Sequence, residues 1–316
     1  MRGALVKNAR ILTEGALLLA IYTVLLLLTA YVPVISIMTT FFLVLPFIIY
    51  SEKHGLKPAL TMFAAAVFIS LIAGSFIITL PLTLSFGTVG IVIGVMLRKQ
   101  RSKMSIYLIS SFVFLISLVI QYVVSILFLN MNIIKDAVDQ AKSVFNESIR
   151  MAESMGQPLP PERIDEIHKA VESFDVLIPS VFLISSLAVM LIIISVNFPL
   201  LRKMGIQSAR FPAFRYWKLP QSIVWYYLIT LILMITIRPE MGTYLHWALY
   251  NLFYVLQLLL VVQGFSFIYF FAHLKEWPRG LLVLATVFGI LLIDFVRIIG
   301  IIDLGFDLRQ RLQRKS

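Results

Sequence analysis

The sequence predicts an all-α protein, a polytopic transmembrane helix bundle with eight or nine spans. Apolar residues make up 60% of the 316 residues, charged residues only 14%, and the mean hydropathy is +0.94. Soluble domains carry about 25% charged residues, so this composition indicates a chain that is solvated by lipid. In addition, apolar runs of roughly 17–25 residues, the length that crosses a bilayer, recur along the chain.

Each apolar run that is long enough to cross a bilayer is a candidate span. These runs lie near 12–31, 33–50, 58–75, 77–97, 104–130, 176–201, 221–237, 243–272 and 280–302. The first run is longer than the hydrophobic region of a typical secretory signal peptide, and further runs follow it. We therefore expect the first run to be retained as a membrane helix.

Clusters of basic residues orient the first six candidate spans. They precede the first span, follow the fourth and follow the sixth: Arg2, Lys7 and Arg10; Arg98, Lys99, Arg101 and Lys103; Arg202, Lys203, Arg210, Arg215 and Lys218. Lys and Arg in short loops favour the cytoplasmic side, which predicts a multi-pass protein of the cell membrane with a cytoplasmic N-terminus. These clusters explain the net charge of +11 without a basic face for nucleic acid, so the lipid bilayer is the expected partner.

The chain divides into three predicted regions. Residues 1–201 form a six-helix membrane bundle with an extracytoplasmic helical hairpin inserted at 131–175, where nine acidic residues outnumber five basic ones. The apolar stripes of this hairpin either pack on each other or on the membrane surface, or form a lid over an outward-facing cavity.

Residues 202–219 form a cytoplasmic loop rich in basic and aromatic residues, and residues 220–316 hold the C-terminal membrane helices and a basic tail. Nine crossings would place this basic tail outside the cell. One segment after Lys218 is therefore expected to be re-entrant or to lie along the membrane surface.

Motifs for common enzyme chemistry are absent from the sequence. There is no cysteine, no phosphate-binding Gly-rich loop, no zinc-hydrolase His motif and no serine-hydrolase elbow, and the four histidines have no metal-ligand partner at helical spacing. We expect no catalytic activity, no metal and no cofactor, and any ATP-driven process would need an external ATPase.

Polar residues within the last two candidate spans are the candidate functional residues, because such residues are costly in lipid. In the eighth span one helical face carries His246, Tyr250, Tyr254 and Gln257, with Asn251 beside them. This stripe is either an interhelical hydrogen-bond seam or the wall of a substrate path.

In the ninth span Asp294 and Arg297 lie three residues apart, a spacing that allows an intramembrane ion pair. The pair has either a structural role or a role in proton relay.

The first half of the chain resembles a known transporter component. The stretches TEGALLLAIYTVLLLLTAYVPVIS, FFLVLPFIIYSEKHGLKPAL and GTVGIVIGVMLRK resemble the substrate-binding S components of energy-coupling-factor vitamin transporters, over about residues 10–200. In that family an Ala-x-x-x-Ala motif on the first helix lies against the coupling protein, and Ala16 and Ala20 match it. Landmarks of the family follow in the same order: Pro33, Leu45 with Pro46, and Gly55.

Over its whole length the chain resembles the YybS-like family of uncharacterised bacterial polytopic membrane proteins. The resemblance to S components implies a substrate-binding membrane subunit that captures an unknown small molecule and relies on a coupling protein and ATPase subunits. Two alternatives remain. One is a non-transporting scaffold or signalling protein of the cell envelope, and the other is an intramembrane enzyme that uses His246, Asp294 and Arg297.

Overall fold

The structure, a computed structural model, is helical throughout the part of the chain that it describes, with loops and turns between the helices. The described residues are 2–73, 76–156, 160, 162–164, 176–208 and 212–313. The α-helices with assigned bounds are α1 (Arg2–Tyr31), α2 (Pro33–Phe42), α3 (Leu45–His54), α4 (Leu56–Ile72), α5 (Phe76–Leu82), α6 (Thr88–Arg98), α7 (Lys103–Leu129), α8 (Ile133–Ser154), α9 (Ile178–Lys203), α10 (Ser222–Ile237), α11 (Tyr244–Leu274), α12 (Arg279–Leu291), α13 (Ile293–Phe306) and α14 (Leu308–Gln313). A π-helical turn, Thr83–Gly87, joins α5 to α6, and a short 3-10 helix, Phe214–Tyr216, precedes α10.

The predicted spans coincide with apolar helices, but fewer of these helices have the length of a full crossing. Six helices of the described part are long and apolar enough: Ala9–Tyr31, Pro33–His54, Phe76–Arg98, Lys103–Leu129, Ile178–Lys203 and Tyr244–Leu274. The helices α4 and α10 are shorter apolar helices, and α12 with α13 forms one bent pair. The structure therefore supports six full-length candidate spans, or seven if the bent pair is counted.

The segment predicted as the ninth span is two short helices rather than one straight helix. The axes of α12 and α13 are bent by 104°, and each helix is about 20 Å long at 1.5 Å per residue, less than the roughly 30 Å of hydrocarbon. Both helices pack along the second half of α11. The hydroxyl groups of Thr286 in α12 and Tyr269 in α11 lie 3.2 Å apart, and α13 crosses α11 at Gly264.

The chain forms two compact units, residues 1–136 with 182–211, and residues 137–181 with 212–316. In the second unit the loop before α10 is bonded to the region after α13. Lys218 Nζ lies 2.8 Å from Asp307 Oδ1, and Arg309 Nη1 donates to the Arg215 carbonyl at 2.9 Å. These bonds hold the two segments side by side within the second unit.

Two glycines of α6 allow close packing in the first unit. A Cβ on Gly94 would overlap Ser51 Oγ and the Ile48 carbonyl of α3, and a Cβ on Gly90 would lie 2.7 Å from the Val44 carbonyl. The spacing is Gly-x-x-x-Gly, which lets two membrane helices approach at backbone distance. The helix crossing of α3 and α6 therefore depends on the absence of side chains at these two positions.

The predicted hairpin at 131–175 is described only in part. Its first arm is the helix α8, on which Ile149 is buried while most other side chains are exposed. Most of the predicted second arm, residues 165–175, lies outside the described residues. The first arm is thus helical in the structure, and the hairpin as a whole remains a prediction.

Candidate functional site

The predicted coupling face, Ala16 and Ala20, lies on an exposed side of α1. The neighbours one turn before and one turn after on the same face are large and exposed, with Leu12 at 68% and Val24 at 57%. On the opposite side of the helix, Tyr22 is fully buried in the core of the first unit. The two alanines thus form a shallow notch, four residues long, between two bulkier apolar side chains.

A groove begins at this notch and continues toward α4. It has a volume of about 610 Å³, and its lining includes Gly15, Ala16, Leu19, Thr61 and Ala65. The lack of a side chain at Gly15 makes room for Tyr50, because a Cβ there would lie 2.7 Å from the Tyr50 hydroxyl. Small side chains on both walls allow another helix to approach α1 closely at this groove.

An ion-pair cluster centred on Glu14 lies two residues before the notch. Glu14 accepts from Arg10 Nε at 3.0 Å and lies 2.7 Å from Lys53 Nζ and 2.8 Å from His54 Nε2. The spacing of Arg10 and Glu14 predicts their pairing, whereas Lys53 and His54 come from α3, and no local pattern reveals them. The cluster joins the start of α1 to the end of α3.

A second polar cluster in the first unit surrounds the π-helical turn. The Tyr22 hydroxyl donates to Thr83 Oγ1 at 2.7 Å, and Gln121 Nε2 of α7 donates to Ser85 Oγ at 2.7 Å and Ser117 Oγ at 2.9 Å. A π-helical turn inside an α-helix often marks a functional region. Here its polar side chains bond to one another and hold α1, α7 and the turn together.

The predicted polar stripe of α11 is not brought to one common surface. His246 is buried, its ring centroid is 4.1 Å from that of Tyr250, and its Nδ1 lies 3.3 Å from the Pro239 carbonyl. Tyr254 is exposed and Gln257 is half-buried. The stripe therefore separates into a buried first turn and a partly exposed middle.

Asn251 joins the start of α9 to α11. Its Nδ2 donates to the Val176 carbonyl at 2.6 Å and to the Trp247 carbonyl at 2.8 Å, and its Oδ1 accepts from the Ser180 amide at 2.9 Å. These bonds occupy both ends of the amide. Asn251 thus acts as a hydrogen-bond bridge between segments.

The predicted ion pair is present at the bend between α12 and α13. Arg297 Nη2 lies 2.8 Å from Asp294 Oδ1, and the Asp294 side chain is 71% exposed. Asp294 is in the first turn of α13, where a negative charge is favourable to the helix dipole. His246 is far from this pair: α13 meets α11 at Gly264, eighteen residues and about 27 Å after His246. The three residues do not converge on one reaction centre.

A buried ion pair between Asp303 and Arg309 is the strongest polar feature of the second unit. Asp303 is fully buried, and its Oδ2 accepts from Arg309 Nε at 2.9 Å and from Gln263 Nε2 at 2.6 Å. Arg309 also donates to Ser266 Oγ at 3.1 Å. Since burying an unpaired charge is costly, each of these side chains depends on the others.

The same cluster fixes the loop before α10. Ser266 Oγ lies 2.8 Å from the Phe214 carbonyl and 2.7 Å from the Trp217 carbonyl, and Gln263 Oε1 accepts from the Leu219 amide at 2.9 Å. The sequence contains one signal of this arrangement, the pair of polar residues Gln263 and Ser266 within the apolar second half of α11. The cluster therefore fastens residues 214–219 to α11 and α14.

The described part of the chain contains no group of three or more His, Asp or Glu side chains that could hold a metal ion. The polar clusters of both units are instead ion pairs and hydrogen-bonded seams.

A family model for "Predicted membrane protein (DUF2232)" matches residues 20–304, which is most of the chain. The chain belongs to this family. A relative, "Uncharacterized protein YybS" of Bacillus subtilis (strain 168), is 30% identical over 312 residues, which cover 97% of this chain and 100% of the relative. No solved structure matches the chain. The resemblance to the YybS-like family is thereby confirmed.

Proposed function

We propose that this protein is a substrate-binding membrane subunit that works with an external ATPase through a membrane coupling protein, as S components do. The observation that carries the proposal is the exposed notch formed by Ala16 and Ala20 on α1. Exposed small residues four positions apart allow a partner helix to pack at short distance. The sequence has no ATP-binding motif of its own, which agrees with dependence on a separate ATPase.

The groove beside the notch adds to this argument. It is continuous with the notch at Ala16 and is lined mostly by apolar and small side chains. A partner helix seated in the groove would bury apolar surface of α1 and α4 together. The substrate itself remains an unidentified small molecule.

A pull-down from native membranes tests the coupling proposal. The full chain carries Ala16→Leu and Ala20→Leu, and the matched control carries Ala64→Leu, since Ala64 is an exposed alanine on α4. We expect the leucine pair to abolish co-purification of a membrane coupling protein and its ATPase, and the control to retain them. Equal recovery of those partners in both variants would refute the coupling face.

Small molecules released on denaturation, measured by mass spectrometry, test substrate capture separately. The leucine pair should leave the bound molecule in place, because the notch is proposed to bind a partner and not the substrate.

The second candidate function is a non-transporting membrane scaffold. The bonds of Asn251 favour it, because both ends of this amide are used between segments and neither is left for a substrate. A scaffold would co-purify with envelope proteins through its loops and release no small molecule. That result, with unchanged partners in the leucine pair, would replace the transporter proposal.

A further inference from the structure

The ends of three helices of the first unit meet at a basic cavity. The cavity has a volume of about 610 Å³ and lies where α6 ends, α7 begins and α9 ends. Three basic residues line it, Arg101, Lys103 and Arg202, and none of its lining residues is acidic. Three like charges around one cavity repel one another, so an anion in the cavity would remove an existing electrostatic cost.

Backbone bonds cap the two helix ends that close beside the cavity. After α6, the Gln100 amide donates to the Leu97 carbonyl at 2.8 Å and the Arg101 amide to the Met96 carbonyl at 3.0 Å. These are the two bonds of a Schellman motif, with Gln100 at a positive φ of 50°. The Met96 and Leu97 carbonyl groups near the end of α6 are thereby occupied and do not compete with an anion.

The helix α9 ends in the same way. The Gly205 amide donates to the Arg202 carbonyl at 3.1 Å and the Ile206 amide to the Leu201 carbonyl at 2.9 Å, with Gly205 at a φ of 84°. The N-terminus of α7, in contrast, reaches the cavity with Lys103 in its first turn. The positive end of that helix dipole adds to the charge of the three side chains.

The rest of the cavity is amphipathic. Its floor contains the buried side chains of Leu97, Ile106 and Phe198, and Gln207 and Ser208 line its rim. Hydrogen-bonding groups and cations above an apolar floor suit a phosphate group attached to an apolar body better than a free inorganic ion.

A neighbouring apolar groove shares one residue with the cavity. This groove, about 430 Å³, is lined mostly by apolar residues of α4, α6 and α7, together with Ser105, Lys99 and Arg101. Arg101 thus belongs both to the polar cavity and to the end of the apolar groove. The combination has the layout of a phospholipid, with the headgroup at the cations and an acyl chain along the helices.

We propose that this cavity binds the phosphate group of an anionic phospholipid, with one acyl chain in the neighbouring groove. Basic cavities between membrane helices are known to bind acidic headgroups, and Arg101 and Arg202 offer the forked donors that pair with phosphate oxygens. The site is independent of the proposed coupling face, since neither Ala16 nor Ala20 lines it.

Native mass spectrometry of the full chain, delipidated and then titrated with phosphatidylglycerol or phosphatidylcholine, tests the proposal. The variant combines Arg101→Gln and Arg202→Gln, and the matched control is Lys203→Gln, an exposed cation next to Arg202 that does not line the cavity. We expect the preference for phosphatidylglycerol to fall about thirtyfold in the double variant, the effect of two basic residues at their usual strength near anionic lipid, and to persist in the control. The single variant Arg101→Gln, with an expected loss of about fivefold for one basic residue, serves if the glutamine pair fails to fold, and an unchanged preference in it would overturn the site.

Three outcomes distinguish a lipid site, a site for soluble phosphate and the absence of an anion site at this cavity. Loss of the lipid preference in the glutamine pair alone, unaffected by added inorganic phosphate, supports the lipid site. Displacement of the lipid by inorganic phosphate shows that the same cations bind a soluble phosphate instead, which overturns the lipid as the ligand. An unchanged preference in the glutamine pair, or an equal loss in Lys203→Gln, overturns the site itself.

Discussion

The buried pair of Asp303 and Arg309 gives the sharpest test of the packing described for the second unit. Replacing Asp303 by Leu leaves the Arg309 guanidinium buried without its counter-ion and leaves Gln263 Nε2 without an acceptor. Breaking a buried ion pair from one side costs about 3–5 kcal/mol of unfolding free energy. The single variant Arg309→Met should cost a similar amount, because it leaves the fully buried Asp303 carboxylate without its cation.

The double variant is expected to lose less unfolding free energy than the two single variants lose together. Replacing both ions by apolar residues of similar size removes the charges together and is often close to neutral. The remaining cost is that of leaving the buried Gln263 amide without an acceptor, about 1–3 kcal/mol of unfolding free energy. The two sites should therefore be coupled by several kcal/mol in a double-mutant cycle.

The assay is unfolding of the purified protein in mixed micelles with increasing sodium dodecyl sulfate, followed by far-ultraviolet circular dichroism. Wild type, both single variants and the double variant are compared at one lipid and detergent composition. The reasoning is refuted if the losses of the two single variants simply add in the double variant, because independent losses would mean that the two charges do not compensate each other.

Three further predictions concern backbone positions and one bridge. Gly94→Ala should lower the free energy of unfolding by about 1–3 kcal/mol, and with it the thermal unfolding midpoint, because the added methyl group overpacks against α3. Gly280→Ala, at a position with open space around it, should leave the midpoint unchanged or slightly higher. Equal effects of the two substitutions would contradict the close crossing of α3 and α6. Gln100→Gly should raise the free energy of unfolding by about 1 kcal/mol in the same measurement, since glycine adopts a φ of 50° without strain. A loss of stability would contradict the strain inferred at Gln100. Asn251→Ala should speed limited proteolysis near Val176, because the amide that holds the Val176 carbonyl at 2.6 Å is removed; an unchanged cleavage rate would show that other contacts hold the segment.

The positions of the helices could be predicted from the sequence because the thickness of a bilayer sets the length of an apolar run. The predicted segment at 104–130 corresponds to α7 at Lys103–Leu129, and that at 243–272 to α11 at Tyr244–Leu274. The bend after Leu291 was not predicted. No proline lies at this position, and the direction of α13 depends on Gly264 of α11, where only the missing side chain permits the contact.

Among the candidate site residues, too, only contacts between residues close in sequence could be predicted. Asp294 and Arg297 are one helical turn apart, so local spacing is sufficient to predict that they can pair. Asp303 and Arg309 are six residues apart, and Asp307 at a φ of 49° ends the helix between them. Their pairing depends on a change of chain direction, which a periodic pattern does not contain.

The bonds from Lys218 to Asp307 and from Arg309 to the Arg215 carbonyl have a consequence for experiments that map sidedness with truncated reporter fusions. A reporter fused after Leu291 would remove α13 and both of these bonds, so the released apolar segment would be free to insert differently from the same segment in the full chain. Reporters placed within loops of the full-length protein keep the bonds intact. Sidedness measured by serial truncation is therefore expected to disagree with sidedness measured by insertion in the last third of the chain.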